Sequence, residues 1–197
     1  MRTLGLILAG GLARRMGGRD KAFLTLDGQT LLDRALARLA PQVDAVAINS
    51  NADPARLAGY DAPLVPDLDD SRAGPLAGVL AGLTHAKEER ASHVVTVAVD
   101  TPFFPRDLAA RLRAAADGEE TPLACAATGE RTHPVFGLWP IDLKDDLAAA
   151  MAEGERKVDR WTVRHGCAVA RWAADPFDPF FNVNTPEDLA EAERLAA

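Results

Sequence analysis

Short apolar runs alternate with amphipathic stretches along the whole 197-residue chain. The runs at 3–9 and 93–99 are apolar almost throughout, a pattern typical of strands that are covered on both faces. The stretch at 30–39 instead places its apolar residues at helical spacing, and Pro41 follows it as a stop. This alternation predicts an α/β fold with a doubly wound, mostly parallel (mixed) sheet and helices on both of its faces.

The predicted elements also give an order for the strands. Strands are predicted at 3–9, 44–48, 62–65, 93–99, 123–127, 135–138 and 167–172, and helices at 30–39, 74–89, 106–116, 141–153, 156–164 and 186–196. Right-handed crossovers predict the order 3-2-1 for the first three strands, with the fourth on the other side of strand 1. Ligands bind at such a reversal, outside the carboxyl ends of the strands. The length predicts one domain over residues 1–197.

The first predicted strand runs into a loop rich in glycine and positive charge. This loop contains Gly10, Gly11, Gly17, Gly18, Arg14, Arg15, Arg19 and Lys21. Glycines let backbone N–H groups come close to a ligand, and the cations supply charge. The loop therefore predicts a polyanion site, fitting a nucleoside triphosphate, with a solvated basic loop as the alternative.

The rest of the chain limits what kind of polyanion this is. The chain has 22 basic and 29 acidic residues, a net charge of −7, so the positive charge is local and does not indicate a nucleic-acid-binding face. Neither a P-loop nor the G-x-G-x-x-G fingerprint is present in this sequence. These departures argue against a nucleotide hydrolase and against a dehydrogenase.

Asp100 ends the fourth predicted strand and is followed by Thr-Pro. A carboxylate there would repel a triphosphate unless a cation lay between them. Mg²⁺ binds through one or two carboxylates together with phosphate oxygens, which makes Asp100 a candidate metal ligand. The alternative is an Asp that caps the helix beginning near residue 105.

Polar residues also follow the second and third predicted strands. Asn49 and Asn51 end one strand and Asp67 ends the other, just before a helix that opens at Gly74-Pro75. Asn side chains present both a donor and an acceptor, which suits recognition of a base or a ribose. Each of these residues, taken alone, is equally compatible with turn chemistry.

Two later segments offer candidates for a second substrate. Arg131 and His133 follow Gly129 and precede an apolar strand, so they either hold an anionic substrate or belong to a hairpin turn. Asn182 and Asn184 fall on one side of an extended segment. They either face the site, or Asn184 supports the N-terminus of the last helix, where Thr185 is the expected cap.

Composition bears on the compartment. The two cysteines, Cys125 and Cys167, show neither metal-ligand spacing nor a disulfide framework. No segment has the ~20 apolar residues that a membrane span needs, and the N-terminal apolar run is short and interrupted by glycine. We expect a cytoplasmic protein that binds neither membrane nor nucleic acid.

Taken in order, these segments resemble the molybdenum cofactor guanylyltransferases, the MobA family. The resemblance rests on LAGGLARRMGGRDK, the segment around Asn49, VPDLDDSRAGPLAG, VDTPFFP, GERTHPVFGLW and FNVNTPEDL. It implies a Rossmann-like nucleotidyltransferase fold. It also implies transfer of GMP from GTP to molybdenum-bearing molybdopterin, giving the guanine dinucleotide cofactor and pyrophosphate. Cytidylyl relatives carry LAAG where this chain has LAGG, which favours GTP.

The resemblance, together with the residue chemistry given above, leads to expected roles for individual residues. Nucleotide contacts are expected from Leu8, Ala9, Gly10, Gly11, Lys21, Asn49 and Asp67. Lys21, Arg15 and Asp100 are the expected catalytic residues, with Asp100 as the ligand of Mg²⁺. Arg131, His133, Asn182 and Asn184 are the candidates for acceptor binding. Residues 1–105 would then form a nucleotide-binding half and residues 106–197 an acceptor-binding half.

Three alternatives differ in acceptor, base or activity. The chain could use another acceptor, such as a sugar phosphate or phospholactate, or it could transfer a cytidylyl group. It could also be a nucleotide-binding regulator without turnover, although Lys21 and Asp100 argue for catalysis. Expected partners, besides GTP and molybdopterin, are molybdenum-insertion proteins and the chaperones of molybdoenzymes.

Overall fold

The computed structural model describes residues 2–10, 12–13, 19–68 and 74–196, with the backbone alone at residues 12, 13 and 19. The strands are β1 Thr3–Leu8, β2 Leu12–Ala13, β3 Arg19–Asp20, β4 Thr25–Leu26, β5 Gln29–Thr30, β6 Ala45–Asn49, β7 Leu64–Val65, β8 His93–Ala98, β9 Leu123–Thr128, β10 Arg131–Pro140 and β11 Cys167–Trp172. The helices are α1 Leu31–Leu39, α2 Pro75–Glu88, α3 Leu108–Gly118, α4 Lys144–Ala152, α5 Val158–His165 and α6 Pro186–Ala196.

A seven-stranded mixed sheet in the order β11-β9-β10-β8-β1-β6-β7 forms the centre of the fold. Every neighbouring pair is parallel except those made by β10, which is antiparallel to both β8 and β9. The order β7-β6-β1-β8 confirms the predicted arrangement of the first four strands. The predicted α/β class, with a mostly parallel sheet, is also confirmed.

Apolar residues cover both faces of this sheet. On one face, residues of α1, α3 and α6 pack with Ile7, Val95 and Val97, and on the other, residues of α2, α4 and α5 pack with Leu4, Leu6 and Val94. Successive residues of a strand point to opposite faces, which is why β1 and β8 contribute to both clusters. The predicted helices on both faces are therefore confirmed.

Local capping fixes two of the helix ends. Thr30 and Asp33 form a reciprocal capping box at α1. Thr185 and Asp188 do the same at α6, with Asp188 N donating to Thr185 Oγ1 and Thr185 N donating to Asp188 Oδ2. The expected N-cap at Thr185 is confirmed.

Some predicted boundaries were wrong. The helix predicted at 106–116 begins at Leu108, and the one predicted at 141–153 divides into a 3-10 turn, Ile141–Leu143, followed by α4. A 3-10 turn, Lys21–Phe23, precedes β4. The strand predicted at 135–138 is the middle of the longer β10, because residues 131–133 pair with the end of β9.

Two other sequence expectations can be compared with the structure. Cys125 is buried and Cys167 is half-buried, and both are free thiols on the neighbouring strands β9 and β11. None of the helices that the structure describes is long and apolar enough to cross a membrane.

Candidate active site

Four parallel strands end at one edge of the sheet and bring the predicted site residues together. Leu8 at the end of β1 pairs in register with Asn49 of β6 and with Ala98 of β8, and Asn49 pairs with Val65 of β7. The chain continues from these strands to Ala9, Asp67 and Asp100. The edge is tied by backbone hydrogen bonds from Ala9 N to Asn49 O, 2.9 Å, and from Val99 N to Leu8 O, 3.2 Å.

Beyond β1, the glycine-rich loop is only partly described. Gly10 is exposed, and a Cβ added there would meet no heavy atom within 4 Å, so a ligand can approach its backbone. Gly11, Arg14, Arg15, Arg72 and the side chain of Arg19 lie outside the described residues. The roles expected for Gly11 and Arg15 therefore stay predictions.

On the β6–β7 side, two amides hold one carboxylate. The Asn49 amide Nδ2 donates to Asp67 Oδ1 at 2.9 Å and to the Val65 carbonyl at 3.0 Å. Asn51 Nδ2 donates to Asp67 Oδ2 at 2.8 Å, while Asp67 N donates to Asn51 Oδ1 at 2.9 Å. These bonds join residues of different strand ends, unlike bonds within a local turn. Neutral amide donors fix the carboxylate without cancelling its negative charge.

On the β8 side, one ammonium group is held by two oxygens. Lys21 Nζ lies 2.7 Å from Asp100 Oδ2 and 2.5 Å from Asn184 Oδ1. The 3-10 turn that begins at Lys21 is capped by Asp20, whose Oδ1 accepts from Ala22 N. The Lys21 and Asp100 side chains are each 17% exposed. Sequence reasoning proposed these residues separately, and the structure brings them into contact.

The alternative role of Asp100 as a helix cap does not match the fold. Helix α3 begins at Leu108, with Asp107 at its N-cap, whereas the Asp100 carboxylate bonds Lys21. The Asp100 carboxylate and the Asn184 amide oxygen, which both contact the Lys21 ammonium, are oxygen ligands of the kind that a hard divalent metal binds. Among the described residues, no three His, Cys, Asp or Glu side chains gather into a metal-binding group. A metal at Asp100 would therefore need further oxygens from a ligand such as a phosphate.

The segment 177–185 passes directly beside Asp100. Val183 N donates to the Asp100 carbonyl at 2.7 Å, and Thr101 Oγ1 donates to Asn182 Oδ1 at 2.9 Å. With the Lys21–Asn184 contact, both candidate asparagines meet residues at the end of β8 or in the glycine-rich loop. Asn184 also donates its backbone N–H to Asp188 at the start of α6, so the two roles considered for it coexist.

His133 is packed under the 177–185 segment. Its ring stacks on Phe180 with centroids 4.5 Å apart, and its Nε2 lies 3.1 Å from Thr128 Oγ1. Since Thr128 Oγ1 donates to Asp178 Oδ1 at 2.9 Å, the Nε2–H of His133 is the donor to Thr128. Burial lowers the pKa of His133, Asp178 acts in the opposite direction, and Arg131 lowers the pKa further. Burial thus favours the neutral form of the imidazole.

Arg131 lies two residues before His133, at the start of β10, and is exposed. Gly129, with a φ of +55°, begins the turn between β9 and β10, so the hairpin considered for this segment is present. Among the described contacts, neither Arg131 nor His133 bonds Lys21 or Asp100. Their assignment to the acceptor stays a prediction.

Several contacts escaped the sequence analysis. Thr101 and Asp178 both hold the 177–185 segment, but only Thr101 carried a signal, its position directly after Asp100. Asp178 lies in a stretch without a recognisable motif. Asp178 accepts a hydrogen bond from Thr128 only because the fold brings this segment next to β9, and no local sequence pattern indicates that.

Comparison with known proteins agrees with this geometry. Residues 5–168 match the family model of the MobA-like NTP transferase domain. The chain is 55% identical over 196 residues to the molybdenum cofactor guanylyltransferase of Bradyrhizobium sp. (strain ORS 278), covering 98% of this chain and 92% of that protein. It is 50% identical over 195 residues to the molybdenum cofactor guanylyltransferase of Cereibacter sphaeroides, covering 99% and 97%.

Solved structures share the fold at lower identity. Molybdopterin-guanine dinucleotide biosynthesis protein A from Archaeoglobus fulgidus is 24% identical, with a TM-score of 0.78 over 98% of each chain. A protein of Mycobacterium tuberculosis H37Rv in complex with manganese has a TM-score of 0.69 at 17% identity, covering 98% of this chain and 99% of that one. From the family match and the identity over nearly its whole length, this chain belongs to the MobA-like NTP transferases and, among them, to the molybdenum cofactor guanylyltransferase family.

Proposed function

We propose that this protein transfers GMP from GTP to molybdenum-bearing molybdopterin, forming the guanine dinucleotide cofactor and releasing pyrophosphate. An oxygen of the acceptor's terminal phosphate attacks the α-phosphorus of GTP. The bond from that phosphorus to the oxygen bridging to the β-phosphorus breaks, and pyrophosphate leaves with the electron pair. The observation that carries the proposal is the Lys21 ammonium held by Asp100 and Asn184 beside the glycine-rich loop.

Asp67 and Asn49 are proposed to select guanine. Guanine presents two neighbouring N–H donors, N1 and N2, along one edge, and a carboxylate can accept from both. Asn49 and Asn51 fix the Asp67 carboxylate while leaving its charge in place. A base with an acceptor at this edge would meet a negative oxygen instead of a donor, which supports discrimination against it.

The remaining residues are proposed to position the phosphates. Backbone groups of Leu8, Ala9 and Gly10 contact the nucleotide, and Lys21, with Arg15 of the loop, neutralises its β- and γ-phosphates. A phosphate nucleophile is already ionised near neutral pH, so no general base is needed. The protein contributes by orientation and by charge placed before the reaction begins.

A divalent metal, Mg²⁺ in our proposal, fits the oxygen ligands at this edge. Asp100, with the amide oxygen of Asn184, would hold it together with phosphate oxygens. When bound, the metal would neutralise charge on the phosphates of the nucleotide. Lys21 has three N–H donors, of which two are used by Asp100 and Asn184, and the third remains for a phosphate oxygen.

The acceptor is proposed to bind on the side of residues 106–197. Asn182 and Asn184 lie where this half meets Asp100, which suits them to contact the acceptor phosphate. His133 supports them through Phe180, and Arg131 offers an exposed cation. In this proposal the single domain acts in the cytoplasm, receiving molybdopterin from molybdenum-insertion proteins and passing the product to molybdoenzyme chaperones.

The direct test is reconstitution from purified components. The protein, GTP, Mg²⁺ and molybdopterin should yield the guanine dinucleotide and pyrophosphate in equal amounts, measured by mass spectrometry and a pyrophosphate assay. Parallel reactions replace molybdopterin with a sugar phosphate or phospholactate. Turnover of those acceptors without turnover of molybdopterin would refute the proposal, as would GTP binding without product.

A further inference from the structure

Helix α2 has two buried glycines, one turn apart, on the face that packs against the sheet. A Cβ placed on Gly82 would lie 2.4 Å from Leu6 Cδ2. A Cβ placed on Gly78 would lie 2.4 Å from Asn49 Oδ1 and 2.6 Å from Leu8 Cδ2. All three separations are shorter than non-bonded carbon and oxygen atoms allow, so an alanine at either position would force the neighbouring side chain to move.

The two glycines leave space for side chains of different kinds. Gly82 accommodates a hydrocarbon side chain in the core, whereas Gly78 accommodates the amide of Asn49. That amide cannot swing aside freely, because its Nδ2 donates to Val65 O and to Asp67 Oδ1. Leu8 is half-buried, and rotation of its methyl groups can relieve its own contact.

We infer that Gly78 is a positioning residue for base selection. The absence of a side chain at Gly78 lets the Asn49 amide lie against α2, and in that position the amide holds Asp67. Glycine is less favourable than alanine inside a helix, so the space left for the Asn49 amide comes at a cost in helix propensity. The inference rests on the proposed function, because it takes Asn49 and Asp67 to contact the nucleotide.

The test compares Gly78→Ala with Gly82→Ala in the full chain. Binding of GTP, ATP and inorganic tripolyphosphate is measured by calorimetry. Gly78→Ala should weaken GTP about 10-fold, the factor for one lost hydrogen bond worth about 1.4 kcal/mol. The preference for GTP over ATP should fall with it, while tripolyphosphate, which has no base, binds as before. Gly82→Ala should alter the melting temperature and leave the ratio of GTP affinity to ATP affinity unchanged.

Asn49→Ala, alone and combined with Gly78→Ala, separates this inference from the proposed function. Asn49→Ala should lower the ratio of GTP affinity to ATP affinity. Adding Gly78→Ala should lower that ratio little further, because the amide that would clash with the new Cβ is gone. The same double variant should recover stability if Gly78→Ala alone folds poorly.

Each contrary result has a distinct meaning. If Asn49→Ala keeps full GTP selectivity, both the proposed role of Asn49 and this inference fail. If Asn49→Ala loses selectivity but Gly78→Ala keeps it, only the inference fails. The inference also fails if the double variant folds no better than a poorly folded Gly78→Ala, since the clash would then lie elsewhere.

Discussion

Single residues determine the charge balance of this site. The Lys21 ammonium is shared by Asp100 and Asn184, and little of the Lys21 or Asp100 side chain reaches solvent. An ion pair so placed is screened less by salt than an exposed one. Substitutions at these residues should therefore change transfer far more than substitutions of exposed charges.

Lys21→Ala should lower the kcat/KM of transfer by ~100-fold or more, because hydrogen bonds between charged groups are worth ~1.5–3 kcal/mol each. The melting temperature should fall by only ~2–4 °C, equivalent to about 1 kcal/mol in a chain of this size. Initial rates and scanning calorimetry provide the two measurements. Lys87→Ala, at an exposed lysine of α2, is the control and should keep full activity. Normal turnover by the Lys21 variant would remove Lys21 from the mechanism.

Asp100→Asn tests the proposed metal ligand with an almost unchanged shape. Loss of the negative charge should reduce transfer by ~100-fold or more, about 2.7 kcal/mol of transition-state stabilisation, and added Mg²⁺ should recover part of it. The amide can still accept from Lys21, so the melting temperature without ligand should hardly change. Asp107→Asn, at the exposed residue before α3, should remain active. Near-normal rates at ordinary Mg²⁺ concentration would place the metal elsewhere.

Among the elements, the β9–β10 hairpin and the 177–185 segment support each other. Thr128 bonds both His133 and Asp178, and His133 stacks on Phe180. Phe180 is followed two residues later by Asn182, which contacts Thr101 beside Asp100. Packing in the hairpin thus fixes the asparagines proposed to meet the acceptor.

This packing predicts a pH dependence of stability. Burial lowers the pKa of His133 below its usual value near 6.5, so on acidification the unfolded chain takes up the proton first. Stability is then fully present above about pH 6.5 and is lost as the pH falls through that value towards the lower folded pKa. His133→Gln, whose amide can still donate to Thr128, should flatten this dependence between about pH 7 and 5. Urea unfolding at several pH values measures it, and a slope equal to that of the wild type would contradict the assignment.

At the scale of the whole molecule, the sequence predicted what depends on local patterns. Apolar runs located β1, β6, β7 and β8, and the crossover rule placed Asn49, Asp67 and Asp100 at one edge. The sequence could not predict that β10 runs antiparallel or begins at Arg131, because both features depend on pairing with β9. Nor could the sequence predict the hydrogen bond between Lys21 and Asn184, which are 163 positions apart in the chain.

The most direct test of the account is a competition among the four nucleotides in one reaction. The protein is supplied with molybdopterin, Mg²⁺ and equal concentrations of GTP, ATP, CTP and UTP, and the dinucleotide products are identified by mass spectrometry. We expect a guanine product in at least ~10-fold excess over each other product, a difference of about 1.4 kcal/mol. A cytosine dinucleotide in equal or greater amount would contradict the proposed guanine selectivity and would leave the description of the fold unaffected.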